Sequence, residues 1–152
     1  MGLVKDYARP MRNHTYQQAV DNTTPGRFRA SERWVSSTNR APANHGTNQR
    51  VLARPLSIPD NAAYKIRTPA RDSYRVYGWW PAGPDYNAHT VFKIKTTGGW
   101  AHRTVNQRMN GGRWIYLGTY NLAADDSYRV QISSKSSSKG SIVADAVKVV
   151  RN

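Results

Sequence analysis

The sequence predicts an all-β protein: an antiparallel β-sandwich of jelly-roll type, preceded by an extended N-terminal lead-in. Three observations carry that reading. Short stretches of alternating apolar and polar residues recur about every ten residues from Arg27 onward. Clusters of Gly, Pro, Asn, Asp and Ser separate them, as turns between strands require. No stretch keeps the apolar spacing of three and four that a helix needs to bury one face.

Residues 1–26 carry little periodicity and several breakers, Arg9-Pro10, Asp21-Asn22 and Pro25-Gly26, and read as a linker. A single domain then spans 27–152. Strands are expected over 29–35, 62–67, 73–80, 90–95, 101–106, 114–119, 127–133 and 142–150. The turns between them are marked by Pro81-Ala82-Gly83-Pro84, Thr97-Gly98-Gly99, Asn110-Gly111-Gly112, Asp125-Asp126 and the serine-rich stretch 133–140. Successive strand residues point to opposite faces. Tyr64 and Ile66, then Tyr74, Val76 and Trp80, then Phe92 and Ile94, then Tyr128, Val130 and Ile132 are therefore expected inside. The other face collects Lys65, Arg67, Arg75, Tyr77, Trp79, Lys93, Lys95, Arg129 and Gln131. If these strands are neighbours, one outer face is cationic with two aromatic rings set in it. Such a face suits a polyanion, and it also suits a strand edge kept soluble by charge. Trp34 and Trp114 each lie in a strand beginning near a turn and are expected to pack inside with Trp80.

Composition bounds the rest. The chain has 152 residues, about one domain's worth. Its 23 Lys and Arg against 9 Asp and Glu give a net charge of +14. With no Cys, disulfides and thiolate metal sites are excluded. Five Trp, nine Tyr and two Phe are too many large apolar rings for a disordered chain. No apolar run approaches the roughly 20 residues that span a bilayer, so no membrane partner is expected. The N-terminus lacks the apolar segment of a signal peptide. On that reading the chain either stays inside the cell or starts where a longer one was cut.

Catalytic chemistry is poorly supplied. His14, His45, His89 and His102 are scattered, with no His-Glu-x-x-His pair, so neither metal nor cofactor is expected. Glu32, Asp85, Asp125, Asp126 and Asp145 are the available carboxylates. Asp125-Asp126 belongs to a turn. Asp145 sits in the apolar run Ile142-Val143-Ala144-Asp145-Ala146-Val147, so it is expected to be buried and structural, with an Arg an easy partner to supply. No nucleophile elbow, phosphate loop or dinucleotide fingerprint occurs. The chain is not expected to be an enzyme. Aromatics are a better lead: Trp79-Trp80-Pro81-Ala82-Gly83-Pro84-Asp85-Tyr86-Asn87 gathers Trp, Tyr, Asp and Asn in and beside one loop, and Trp100 adds another ring after a turn. Planar rings cover sugar faces, and Asp and Asn hydrogen-bond hydroxyls.

Three longer motifs occur in order. Tyr74-Arg75-Val76-Tyr77-Gly78-Trp79-Trp80-Pro81-Ala82-Gly83 is followed by Asp85-Tyr86-Asn87. Val105-Asn106-Gln107-Arg108-Met109-Asn110-Gly111-Gly112-Arg113-Trp114-Ile115-Tyr116-Leu117-Gly118-Thr119-Tyr120 comes next, and Ile142-Val143-Ala144-Asp145-Ala146-Val147-Lys148-Val149 closes the series. Together they resemble the golvesin C-terminal-like, or xanthan-lyase-type carbohydrate-binding-like, domain. The lead-in Tyr7-Ala8-Arg9-Pro10 and 20–28 resembles the region joining such a domain to secreted actinobacterial N-acetylmuramoyl-L-alanine amidases, whose catalytic zinc domain would lie before Met1.

The resemblance implies a jelly-roll sandwich that is a non-catalytic appendage of extracellular enzymes acting on polysaccharides or cell walls. On this basis the chain is expected to be secreted and wall-associated, with peptidoglycan or another wall polysaccharide as partner. Trp79, Tyr77, Asp85, Tyr86, Asn87 and Trp100 would meet sugar. Lys65, Arg67, Arg75, Lys93, Lys95 and Arg129 would meet anionic groups such as teichoic-acid phosphates. Two alternatives stand beside this reading: a general polyanion or nucleic-acid binder, and a structural spacer or protein-interaction domain.

Overall fold

Alternation in the sequence becomes two packed sheets in the structure, a computed structural model that describes residues 16–38 and 43–152. Twelve strands occur among these residues: β1 Gln17–Asp21, β2 Phe28–Arg29, β3 Trp34–Ser37, β4 Gln49–Leu52, β5 Ala62–Thr68, β6 Asp72–Trp79, β7 Thr90–Thr96, β8 Gly99–Val105, β9 Ile115–Leu122, β10 Asp125–Ile132, β11 Ile142–Ala144 and β12 Ala146–Arg151. One sheet runs β1-β12-β6-β9 and the other β2-β5-β10-β7-β8. Apart from the hairpins β3–β4 and β7–β8, successive strands cross between sheets, as in a jelly roll. A small third sheet, β11-β4-β3, closes one end. Every strand-to-strand ladder is antiparallel. No helix among the described residues is long and apolar enough to cross a membrane.

The core lies between the two large sheets and is filled by the inward rows of the alternation. Tyr64, Ile66, Tyr74, Val76, Trp80, Phe92, Ile94, Val130 and Ile132 are all buried there, as their strand positions require. Gly78 marks a close approach of the sheets: a Cβ on it would lie 3.2 Å from the Phe92 ring and 3.3 Å from Leu117. Trp34 is buried beneath the third sheet, and its indole N–H donates to the Asp60 carbonyl at 2.7 Å.

Four departures from the alternation have local causes. Residues 17–21, read as linker, form β1, which pairs with β12 from Gln17↔Val150 to Asp21↔Ala146. Only Val20 of that segment is a large apolar residue facing the core, so its pattern is too weak to see in sequence. The stretch 29–35 is two strands, because a turn with Trp34 N–H donating to Ser31 at 3.0 Å divides it. β4 was not expected, since Gln49 and Arg50 interrupt its apolar row. In β10, a register shift between Ser127 and Val130 sets two residues against one on β5. That bulge turns Arg129 inward and Tyr128 outward, the reverse of strict alternation.

Candidate functional site

The outer face of the first sheet carries a strip of aromatic rings. On β6 the outward row is Arg75, Tyr77 and Trp79, all half-buried. Registers place Lys148 of β12 on one side of Tyr77 and Tyr116 of β9 on the other. The Tyr77 and Tyr116 rings lie 5.8 Å apart, and those of Trp79 and Trp114 5.3 Å apart, edge to face. Lys148 links the two pairs, its ammonium 5.1 Å from the Tyr77 ring and 4.8 Å from the Trp114 ring. Trp79 is oriented by its indole N–H, which donates to the Ala43 carbonyl at 2.8 Å. Arg75 donates to the Tyr77 hydroxyl at 3.3 Å. His45 packs against both indoles, at 5.3 Å from Trp79 and 5.1 Å from Trp114. Tyr116 is the most open ring of the strip, 48% exposed. Such an arrangement offers flat apolar surface with cationic donors beside it, the combination that holds a pyranose ring and an attached anionic group.

The second sheet presents a different outer face. Lys65 and Arg67 of β5 and Lys93 and Lys95 of β7 point outward. Trp100, 47% exposed, stands across from Lys95, and His102 across from Lys93. Tyr128 lies under Arg29, whose guanidinium is 4.2 Å from the ring, and Lys65 is 5.9 Å from the same ring. Among the described residues, none of Lys65, Arg67, Lys93 and Lys95 lies in a salt bridge.

The sequence matches one family. Residues 18–151 fit the golvesin C-terminal domain. The chain belongs to that family. A xanthan lyase of Bacillus sp. (strain GL1) is 36% identical over 138 residues, which is 86% of this chain and 14% of that protein. A solved structure of a Paenibacillus xanthan lyase matches with a TM-score of 0.78 at 25% identity, over 91% of this chain and 13% of the lyase. The chain thus spans about a seventh of each lyase's length.

In this golvesin C-terminal domain the single cationic, aromatic face expected from alternation is two faces on opposite sides. Arg75, Tyr77 and Trp79 lie on the first sheet, while Lys65, Arg67, Lys93, Lys95 and Trp100 lie on the second, because β6 crosses to the sheet that β5 and β7 do not join. Three expected site residues are structural. Tyr86 is buried with its hydroxyl accepting from Gln49 at 3.4 Å. Asn87 is fully buried and ties loops together: its amide N–H donates to the Ser138 carbonyl at 2.9 Å, and its carbonyl accepts from Ser136 at 2.8 Å. Arg129, 1% exposed, donates to the carbonyls of Ala123 at 3.1 Å and Asp125 at 3.0 Å and pairs with the Asp125 carboxylate. Burial lowers its pKa below the ordinary guanidinium value. Asp85 is exposed but lines a separate groove of about 510 Å³ with Val35, Val51 and Ser141. Trp114, expected inside, is half-buried in the strip. Tyr116 and Lys148 were not singled out, although Lys148 follows from alternation between buried Val147 and Val149.

Asp145 is fully buried, where β11 of the third sheet hands over to β12 of the first. Among the described residues its carboxylate is paired with no Arg. Instead one oxygen accepts the His45 backbone N–H at 2.8 Å. Burial pushes the Asp145 carboxyl up to about 8, the His45 N–H opposes the shift, and the nearby Asp21 charge adds to it. His45 Nδ1 lies 2.6 Å from Asp21 Oδ2. Folding thus brings one of the scattered His residues to two Asp residues, a donor set that no spacing in the sequence announces.

Proposed function

We propose that this domain is a non-catalytic accessory module of a secreted bacterial cell-wall hydrolase, of the N-acetylmuramoyl-L-alanine amidase kind, and holds that enzyme on its wall polymer. The observation that carries the reading is the strip Trp114, Trp79, Tyr77 and Tyr116 with Lys148 and Arg75 beside it. Sugar rings would lie on the aromatic faces, and the cations would meet carboxylates of muramic acid or phosphates of a teichoic acid. The xanthan lyases to which the chain is similar are named for action on a polysaccharide, which supports a glycan as the ligand class. Tethering a catalytic domain to its substrate makes each later encounter intramolecular, so a modest affinity suffices.

Sedimentation with isolated Gram-positive walls tests this, before and after removal of teichoic acids and across a salt series. Retention on stripped walls in high salt supports glycan recognition through the strip. Loss of all retention on stripping overturns it in favour of the cations.

A second reading has its own observation. The Lys65, Arg67, Lys93 and Lys95 face is cationic, forms no salt bridge of its own among the described residues, and would hold a polyanion, nucleic acid included, by charge alone. DNA-cellulose in the same series distinguishes it: steeply salt-dependent retention on DNA with no preference for walls supports this reading. No retention on wall or DNA leaves the spacer reading.

A further inference from the structure

We propose that Asp21, His45 and Asp145 form a binding site for a divalent transition-metal ion of the Zn2+ class, set directly beneath the aromatic strip. This is a different ligand from the glycan and does not depend on it. One ligand atom from each residue lies within 4.8 Å of the other two. Topology builds the cluster: Asp21 ends β1 opposite Ala146, the Asn22 N–H donates to the Asp145 carbonyl at 2.7 Å, and the loop carrying His45 folds onto both. A tetrahedral zinc ion holds N and O ligands at about 2.1 Å, hence about 3.4 Å from one another, so movements of about an ångström would seat the three donors, with water as the fourth ligand.

Orphaned polar atoms at the same place point to a missing ligand. Asp145 Oδ1 is buried with no hydrogen-bond partner. The Tyr64 hydroxyl, from a different strand, is also fully buried and unpartnered, and the charges of Asp145, Asp21 and Arg50 all act on it. Buried polar atoms are almost always satisfied, and a buried carboxyl oxygen without a partner is costly. A cation between the carboxylates would satisfy Asp145 Oδ1 where no Lys or Arg among the described residues reaches it. Asp21 is already arranged as a ligand. Its Oδ1 accepts from the N–H and the hydroxyl of Thr23, each at 2.9 Å, which leaves Oδ2 turned to His45 and the site. One imidazole nitrogen with two carboxylates suits Zn2+ and similar ions, whereas Ca2+ prefers an all-oxygen shell. Because the His45 ring packs on Trp79 and Trp114, an ion on Nδ1 would also fix the 43–48 loop against those indoles.

The test is calorimetric titration of the EDTA-stripped domain with Zn2+, with Mn2+ and Ca2+ in parallel, and a thermal melt of each. The expected result is one equivalent of Zn2+ bound, with a melting point raised by about 5 °C or more at a hundredfold excess over Kd. Asp145→Asn and His45→Gln should each weaken Zn2+ binding at least tenfold, while His102→Gln leaves it unchanged. If Asp145→Asn does not fold, the partly exposed His45→Gln carries the comparison. No saturable Zn2+ binding, binding unchanged in the folded variants, or a Ca2+ response equal to that of Zn2+ would each overturn the proposal.

Discussion

The two outer faces of this sandwich are built from the same alternation and come out different. On the first sheet the outward rows of β6, β9 and β12 meet as a strip of half-buried rings, bridged by Lys148 and steadied by hydrogen bonds from Trp79 and Arg75. On the second, the rows of β5 and β7 are lysine and arginine stems, and the ring of Trp100 stands open at the edge strand β8. Rings that pack on one another are preorganised and lose little entropy on meeting a flat ligand. Unpaired cations act over longer range but are screened by salt. Under the proposed function, shape recognition would fall to one side and electrostatic attraction to the other.

The strongest way to break the comparison is to remove the core both faces share. Phe92→Ala, which empties the space against Gly78 and Trp80, should cost about 3–5 kcal/mol in chemical denaturation and weaken every binding activity together. A loss below about 1 kcal/mol would mean the sheets do not close there. Next in size is Trp79→Ala with Trp114→Ala, which should lower retention on stripped walls by about tenfold or more in high salt. DNA retention and the far-ultraviolet dichroism should stay as they were. A triple change of Lys65, Lys93 and Lys95 to Ala should do the converse. Binding to an anionic polymer falls, and its log–log salt dependence becomes shallower by about one to three units. Wall retention in high salt holds.

The smallest effect belongs to the surface pair Arg27–Asp126, which joins the start of the second sheet to β10. The Arg27 hydrogen bond holds the Asp126 carboxyl below its ordinary value. A depressed acid contributes stability above its ordinary pKa and loses it as pH falls through the lowered one. Arg27→Ala should therefore cost at most about 1 kcal/mol at neutral pH, since the pair is partly exposed to solvent, and nothing in acid. Thermal melts at both pH values check this.

Legibility in the sequence tracked how far each feature depends on one strand alone. Strands with four or more alternating residues were clear, and with them the core from Tyr64 to Ile132 and the outward set Arg75, Tyr77 and Trp79. Strand neighbours were not, because the jelly-roll crossing separates β5, β6 and β7 although they follow one another. That is why one imagined face became two. Arg129 was misplaced by a bulge, which adds one residue and flips the rest. Tyr86 and Asn87 read in sequence as loop ligands, since loop polarity looks alike whether a side chain meets solvent or, like Asn87, staples three backbone carbonyls. The Asp21–His45–Asp145 cluster joins residues up to 124 positions apart (145 − 21), which no local pattern encodes.

The most direct measurement is a nitrogen-15 NMR titration of the domain with a soluble uncross-linked peptidoglycan glycan strand in high salt, following the five indole N–H signals. The account predicts saturable shifts at Trp79 and Trp114, with Trp34, Trp80 and Trp100 unmoved. Shifts centred on Trp100 and the β7–β8 face, with Trp79 and Trp114 unmoved, would contradict it.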